Sequence, residues 1–366
     1  MSIRRTDHRQ LGDGRTATLA PEPPRSPSIA LPAPSHSTGS SAQRAARWSG
    51  VLLGFAATAF LILWWIIDAG YKPPIRVAIN PWPGYEFATL AQAKGYFAEE
   101  GVDVRLIELS SLGDSRRAYE RGQVDGFFGT VVEVLLSGDQ GDRRPIITML
   151  VDYSDGADVI VARQGIPDIA GLRGKRVAVE SGSINVVVLA RALAGEGMDS
   201  SEVTPVYEPQ LDMARSFVEG RIDAAVCYPP TSIEIVKSGA GVIYSSKAIP
   251  GVIADVLAFD SATIKDRSAD VAAFQRAFFR AQEFALTHPD EAYALMAARE
   301  GITAEEFAEA LHEGIRLVGS TEQATYLGPS GSLVEVVRTT RDDLRSLGQL
   351  RDGDRELPRT VMVSPE

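Results

Sequence analysis

Apolar residues run without a charge from Trp48 to Ile67, WSGVLLGFAATAFLILWWII. A helix of that length, rising about 1.5 Å per residue, covers a hydrocarbon core of about 30 Å. Trp48 at one end and Trp64 and Trp65 at the other suit the two membrane interfaces. Arg44 and Arg47 precede the run, so the pattern predicts a cytoplasmic N-terminus and an extracytoplasmic remainder. A buried core helix and a cleaved signal peptide are the rival readings. The run is long for either, IIDAGYKPP offers a poor cleavage site, and no cysteine follows closely enough to carry a lipid anchor. We expect an uncleaved anchor over 48–70 and, before it, a disordered tail over 1–47 rich in Pro, Ser, Thr and Arg.

Beyond the run, the pattern becomes that of alternating short strands and amphipathic helices. Strands are predicted at 75–80, 102–109 and 124–129, with helices at 86–98 and 114–121 between them. The same order returns with strands at 176–180, 203–207 and 223–227 and helices at 183–196 and 210–219. Such alternation implies parallel sheets covered by helices. The chain repeats in detail as well. IRVAINPWPG (75–84) matches KRVAVESGSI (175–184), and RAYERGQVDGFFGT (117–130) matches RSFVEGRIDAAVCY (215–228), with Gly122 and Asp125 spaced as Gly220 and Asp223. Two matches at nearly one offset predict two similar lobes. DVIVAR (158–163) leads from one to the other and GVIADVLAFD (251–260) returns. Helices are then predicted at 268–287, 290–299 and 303–317, the last opened by the capping box Thr303-Ala-Glu-Glu, and near 332–347. The expected fold class is α/β, two-lobed, with an N-terminal transmembrane helix and a helical C-terminal region. Lobe 1 takes 71–157 and 251–350, lobe 2 takes 158–250, and 351–366 is a flexible tail.

Charge narrows the function. The formal net charge is −11. The first 47 residues sum to about +4 and the part beyond the apolar run to about −15. A body this acidic excludes nucleic acid as partner, since phosphate neutralisation needs clustered Lys and Arg. The single cysteine, Cys227, excludes an intramolecular disulfide, and four histidines, two of them in the tail, leave no histidine-centred metal or catalytic cluster. No cofactor is expected.

Ligands of open α/β sheets sit beyond the carboxyl ends of the strands, and two lobes facing each other trap a small molecule on closing. That rule selects Trp82, Gly84 and Tyr85 (with Asn80) after the first strand, Ser110 and Ser111 (with Gly113) after the second, and Thr130 after the third. In the second lobe it selects Glu180, Ser181, Ser183 and Asn185 (with Gly182), and Tyr228. Trp82 and Tyr85 are either cleft walls or packing residues on a Pro-Gly turn. The Ser/Gly loops are either ordinary helix caps or an anion seat made of backbone N–H groups. DYSDGAD (152–158) places Asp152 and Asp155 at the lobe junction, either as solvated turn residues or as partners for an ammonium, amidine or ring N–H. Asp158, at the start of the crossing strand, is the weakest of the three. An Asp155→Asn change is expected to weaken an amine-bearing ligand more than a simple anion. The only arginines near these loops are Arg116 and Arg117, one turn into a helix. Cys227 reads as a small buried hydrophobe.

The ordered set IRVAINPWPGYEFATLAQAKGYFAEEGVDVRLIEL, RGQVDGFFGT, DYSDGADVIVA, IAGLRGKRVAVESGS and EGRIDAAVCYPP resembles the ABC-transporter substrate-binding proteins of the nitrate, sulfonate, taurine and thiamine-precursor type over about residues 75 to 320. The resemblance implies a type II periplasmic binding fold that hands a small solute to permease subunits powered by an ATPase. The alternatives are a membrane-tethered sensing module and a receptor for a thiamine pyrimidine precursor or cationic amine. A zwitterion such as an aminosulfonate would satisfy both the Ser/Gly loops and the acids. The pyrimidine-synthesising enzymes that share this fold use a histidine and a cysteine-rich segment, and this chain has neither at the matching positions. No acid–base or nucleophile–base pair points to an enzyme.

Overall fold

The computed structural model describes residues 54–62, 64, 72–140, 143–351 and 358–361. The chain divides into two compact units, Met1–Lys72 and Pro73–Glu366. In the first unit, residues 54–62 and 64 are helical, and Phe55, Phe60, Leu61, Ile62 and Trp64 are exposed. Among the described residues no helix is long and apolar enough to cross a membrane. The rest of the run from Trp48 to Ile67, and the expected tail over 1–47, lie outside the described residues.

The second unit holds two sheets. The first contains β1 (Ile75–Ile79), β2 (Val104–Glu108), β3 (Gly126–Thr130) and β4 (Pro145–Ser154). The second contains β5 (Val159–Ala162), β6 (Arg176–Val179), β7 (Thr204–Tyr207), β8 (Ala224–Cys227) and β9 (Gly241–Ser245). The chain then returns to the first sheet with β10 (Ala254–Asp260), β11 (Ile315–Leu317) and β12 (Arg359–Thr360). The first sheet runs β11-β4-β10-β3-β1-β2, with β12 against β4, and the second runs β7-β6-β8-β5-β9. Each has the same plan. Three parallel strands stand in the order β2-β1-β3 or β7-β6-β8, and an antiparallel strand, β10 or β5, lies beside the third. That antiparallel strand is in each case the one that has just crossed from the other sheet. We call the body around the first sheet lobe 1 and that around the second lobe 2.

One repeated interaction accounts for the repeated motif. Arg76 donates from its backbone N and side chain to Asp125 at 2.6–3.2 Å, and Arg176 does the same to Asp223 at 2.7–3.0 Å. Gly122 and Gly220 take the left-handed φ of 69° and 75° that ends the preceding helix three residues before the aspartate. The Gly-x-x-Asp phrase therefore stops a helix and pins the start of the third strand to the start of the first.

The helices named below are α1 (Glu86–Ala93), α2 (Leu112–Glu120), α3 (Val131–Gln140), α4 (Ile184–Gly195), α5 (Met213–Val218), α6 (Thr231–Lys237), α7 (Ser261–Thr287), α8 (Pro289–Glu300), α9 (Ala304–Gly314) and α10 (Leu333–Ser346). Three expectations change. The 86–98 helix breaks at Gly95, whose φ is 76°, into α1 and a turn at Tyr96–Glu99. The 303–317 helix ends at Gly314, because Ala157 packs against it so closely that a β-carbon there would stand 2.9 Å from the Ala157 methyl. Ile315–Leu317 then joins β4 as an edge strand. Within the expected tail, Arg359–Thr360 pairs with β4 in parallel. The Thr303–Glu306 capping box is present.

The core follows the pleat. On β5, Val159 and Val161 face a small cluster with Met213, Phe217, Ile222 and Cys227, whereas Ile160 and Ala162 join the large cluster on the other face. Cys227 is fully buried there, and burial pushes its thiol well up, which suits packing and not nucleophilic chemistry.

Candidate functional site

The strand register brings acidic side chains to the lobe junction. β1, β3, β6 and β8 end at Ile79, Thr130, Val179 and Cys227, which places Asn80, Thr130, Glu180 and Tyr228 at the mouth. The crossing strands run the opposite way, so their beginnings reach the same place. Asp255, near the start of β10, is paired with Thr130 on one side and Asp152 on the other. Asp158 stands just before Val159, the partner of Cys227. Between the lobes lies a small, partly open cavity with ≈ 180 Å³ of non-atom space, of which ≈ 10 Å³ is open to the centre of a water molecule. Lobe 1 lines it with Asn80, Trp82, Tyr85, Leu112, Thr130 and Asp255, and lobe 2 with Asp158, Ile184 and Tyr228. None of these is Lys or Arg. The nearest arginines of the Ser/Gly loops are engaged by acids of their own helix: Arg116 by Glu120, and Arg117 by Asp114 at 2.8 Å.

The aromatic walls are fixed by packing and by the acids. Trp82 lies edge-on to Tyr228 with ring centres 5.7 Å apart, and Tyr85 packs on Phe128 at 5.0 Å. Trp82 Nε1 donates to Asp152 Oδ2 at 3.1 Å, and the Tyr85 hydroxyl donates to Asp255 Oδ1. Gly84 makes room for this arrangement, since a β-carbon there would lie 1.9 Å from Asp152 Oδ2. Gly84→Ala is therefore expected to displace Asp152 and to cost about 1–3 kcal/mol of stability, seen as a lower midpoint in chemical denaturation together with loss of cleft ligand binding. Unchanged stability would show that Asp152 yields freely.

Five carboxyl groups, Glu133, Asp152, Asp158, Glu180 and Asp255, are buried around the cavity. Burial raises Asp158 and Glu180 to about 7. It also raises Asp152, although the Trp82 N–H and Asp255 pull the other way, and it lifts Asp255 well above the usual carboxylate range with the neighbouring Asp152 charge adding to it. Glu133 is raised by burial against the hydrogen bonds it accepts. Among the described residues at the lobe junction, buried polar atoms without a partner include Asn80 Oδ1, Asp152 Oδ1, Asp255 Oδ2, Glu180 Oε2, the Tyr228 hydroxyl and Asn185 Nδ2. The first four are carbonyl or carboxylate oxygens. They lack hydrogen-bond donors, and a buried acceptor left so is costly.

Two of the carboxylates span the lobes. Glu180 Oε1 accepts the Gly113 N–H at 2.6 Å, at the start of α2 in lobe 1. Glu133 Oε1 accepts the Ile184 N–H at 2.9 Å, at the start of α4 in lobe 2, while its other oxygen accepts from Thr130 N and Oγ at 2.7 and 2.6 Å. Further out, Arg191 pairs with Asp343 at 2.6 Å and Lys237 pairs with Glu306. The lobes are closed on each other. The helix starts in which an anion would sit are filled by the chain's own carboxylates.

The structure therefore brings together Trp82, Gly84, Tyr85, Thr130, Asp152, Glu180 and Tyr228 from the sequence-derived set. Ser111 and Ser183 are buried at the edge as caps of α2 and α4, accepting from Asp114 N and Asn185 N. Asn185 is buried with its Nδ2 unpartnered. Ser110 is half-buried and donates to Asp114. Ser181 is exposed, one residue past Glu180 on the outward side of the turn. Asp155 is also exposed, because its backbone N–H is held by Gly314 O at 2.8 Å and the side chain turns to solvent. The expected effect of Asp155→Asn on an amine ligand is withdrawn for that reason. Asp158, ranked last of the three, lines the cavity, and Glu133 and Asp255 were not selected at all.

Comparison with known proteins agrees with this architecture. A family model described as NMT1/THI5 like matches residues 82–292. The chain belongs to the NMT1/THI5-like family. The 4-amino-5-hydroxymethyl-2-methylpyrimidine phosphate synthase THI13 of Saccharomyces cerevisiae is 28% identical over 150 residues, covering 40% of this chain and 43% of that protein. The riboflavin-binding protein RibY of Chloroflexus aurantiacus is 26% identical over 232 residues, covering 60% of this chain and 65% of that protein. The chain thus spans less than two thirds of the length of these curated relatives. Among solved structures, the alkanesulfonate-binding protein SsuA of Xanthomonas axonopodis pv. citri, bound to MOPS, superposes with a TM-score of 0.65 at 14% identity, over 77% of this chain and 96% of that one. The periplasmic nitrate-binding protein NrtA of Synechocystis gives 0.64 at 13%, over 77% and 83%. The family's fold here is the two-lobed type II periplasmic binding fold of ABC importer binding proteins.

Proposed function

We propose that this NMT1/THI5-like chain is the membrane-anchored, extracytoplasmic solute-binding component of an ABC importer, and that its cleft takes a small cationic or N–H-rich nitrogen compound, an amine or an aminopyrimidine-like heterocycle. The observation that carries the ligand class is the five carboxyl groups buried at the lobe junction, three of them (Asp152, Glu180 and Asp255) with an unpartnered oxygen, and no cation among the cavity's lining residues. A buried acid is stabilised by a cation or donor that arrives to pair it. A sulfonate or nitrate meets the opposite situation, since it must displace Glu133 and Glu180 from the helix starts. The curated relatives named for a pyrimidine phosphate and for riboflavin are nitrogen-heterocycle proteins, which supports the same class.

Typical ligand pockets hold about 300–1,000 Å³, more than the closed cleft offers, so a ligand enters with the lobes apart and is trapped on closure. Anchoring rests on the run from Trp48 to Ile67, and tethering raises the receptor's concentration at the permease without a new contact. A binding role, and not catalysis, is supported by the two described histidines: His288, between two lobe 1 helices, bonds to Thr287, His312 bonds to Tyr293, and neither lines the cavity. Mass spectrometry of the small molecule that co-purifies with the full chain, followed by thermal-shift screening of amines and aminopyrimidines beside taurine and nitrate, tests the reading. Stabilisation by the nitrogen compounds alone is expected. Stabilisation by taurine or nitrate alone overturns the ligand class.

A further inference from the structure

The two segments that cross between the lobes touch through a pair of serine hydroxyls. β4 ends at Ser154 in lobe 1, and Ser246 follows β9 in lobe 2. Both side chains are buried, and their Oγ atoms stand 2.8 Å apart. Every backbone N–H of the first crossing, 155–158, has a partner. Asp155 and Ala157 donate to Gly314 O at the end of α9, at 2.8 and 3.1 Å, so both are seated on lobe 1. Gly156 donates to Ser246 Oγ at 2.6 Å, and Asp158 donates to Ser154 Oγ at 3.1 Å. Ser246 N donates to Asp158 O at 2.8 Å, which continues the pairing of Val159 with Ser245, so Asp158 and Ser246 belong to lobe 2.

Three hydrogen bonds therefore pass from one lobe to the other at this point: Ser154 with Ser246, Gly156 with Ser246, and Asp158 with Ser154. Each of them uses a serine hydroxyl. Closure and opening of two lobes are absorbed by φ/ψ changes at a few hinge residues. Gly156, with φ at 129°, already holds a conformation that other residues rarely adopt. A turn of the chain here pulls the three bonds apart together. Asp158, gripped by a serine at its N–H and by the other at its carbonyl, is also a wall of the cleft cavity. We propose that the Ser154–Ser246 hydroxyl pair is the hinge lock of this protein, made when the lobes close and positioning Asp158 at the cleft. The proposal rests on the lobes opening and closing about a solute, as proposed above, and not on the class of that solute. Without either hydroxyl, the closed form keeps a buried N–H that has lost its acceptor, which is costly, whereas opening lets water reach it.

The test uses the full chain in neutral detergent with no solute added, carrying fluorophores on cysteines introduced at exposed Glu196 in lobe 2 and Leu286 in lobe 1. Ser154→Ala and Ser246→Ala each remove two of the three bonds. Each is expected to raise the ratio of open to closed forms about tenfold, in line with the usual contribution of buried hydrogen bonds. The double variant is expected to fall well short of the roughly hundredfold that two independent effects would give. Ser137→Ala removes a buried hydroxyl bonded within α3 and is expected to leave the distances as they are, since a purely structural loss does not open the lobes. Unchanged distances in both serine variants overturn the lock, and so do effects that add in full. If Glu133→Gln then still lengthens the distances, the two-lobed trap itself stands. Should a serine variant not fold, amide hydrogen exchange of the unaltered chain decides. Gly156 and Asp158, released on opening, are expected to exchange faster than Asp155 and Ala157, which stay on Gly314 O. Equal rates or the reverse order overturn the lock.

Discussion

Asp255→Asn should make this protein more stable and nearly unable to bind its cleft ligand. The substitution keeps the shape of the side chain and an acceptor for the Tyr85 hydroxyl, but removes one of two carboxylates that stand side by side on β10 and β4. Without a ligand, that pair is a liability, because burial opposes charge on both and the Asp152 charge opposes a second one on Asp255. With a cation between them, the same pair is the strongest attraction in the cleft. Truncating one partner of a buried charged contact costs about 2–5 kcal/mol, or roughly 30-fold to several thousand-fold in affinity. Calorimetric titration with the co-purified ligand reads the loss, and chemical denaturation near neutral pH reads the gain in stability. An Asn variant that binds as before would place the ligand elsewhere. One that binds a sulfonate less tightly by the same factor would mean that Asp255 acts only through the shape of the site.

Glu133→Gln should open the lobes. Glu133 accepts three hydrogen bonds with two oxygens, and one of them, from Ile184 N, comes from the other lobe. An amide has one acceptor oxygen, so at least one of these donors then faces an NH2 group. Hydrogen bonds to a charged group contribute about 1.5–3 kcal/mol, which is about 10- to 150-fold in the ratio of closed to open forms. Because Cys227 is fully buried, cysteines introduced at exposed Glu196 in lobe 2 and Leu286 in lobe 1 can carry fluorophores selectively. The distance between them is expected to lengthen and broaden in the ligand-free variant. The freed helix start of α4 is also expected to give the variant an affinity for sulfonate that the parent lacks. An unaltered distance distribution would show that Glu133 bridges the lobes without holding them.

The duplication was legible because one interaction is written twice. Arg76 and Arg176 reach Asp125 and Asp223, and the glycines that stop the preceding helices stand at fixed spacing from those aspartates. The cleft residues on parallel strands, among them Thr130, Glu180 and Tyr228, were legible for a related reason: the carboxyl ends of such strands point one way. Asp255 and Asp158 escaped that rule because they begin antiparallel strands, whose amino ends face the same mouth. Glu133 was hidden more deeply, since its role exists only where the lobes meet. α3 and β4 carried no periodic signal, because a fully buried segment does not alternate and cannot be sorted into helix or strand by pattern alone. Asp155 and Ser181 misled for the opposite reason. Their neighbours in sequence are in the cleft, but a single residue further along a turn is enough to point a side chain outward.

The raised carboxyl groups link this chemistry to pH. Asp158 and Glu180 titrate near 7 when folded and near 4 when unfolded. The ligand-free protein therefore holds more protons than its unfolded chain between these values. Its stability is greatest below about pH 4 as far as these groups are concerned, and is lost as pH rises toward about 7. A cation reverses the balance by pairing the ionised forms. Calorimetric titration of the full chain with the co-purified ligand at about pH 5.5 and about pH 8, repeated in buffers of different ionisation heat, measures this directly. The account predicts tighter binding at the higher pH, with protons released to the buffer on binding. Tighter binding at the lower pH, with protons taken up, would mean that the cleft selects an anion and that its carboxyl groups serve only to be neutralised.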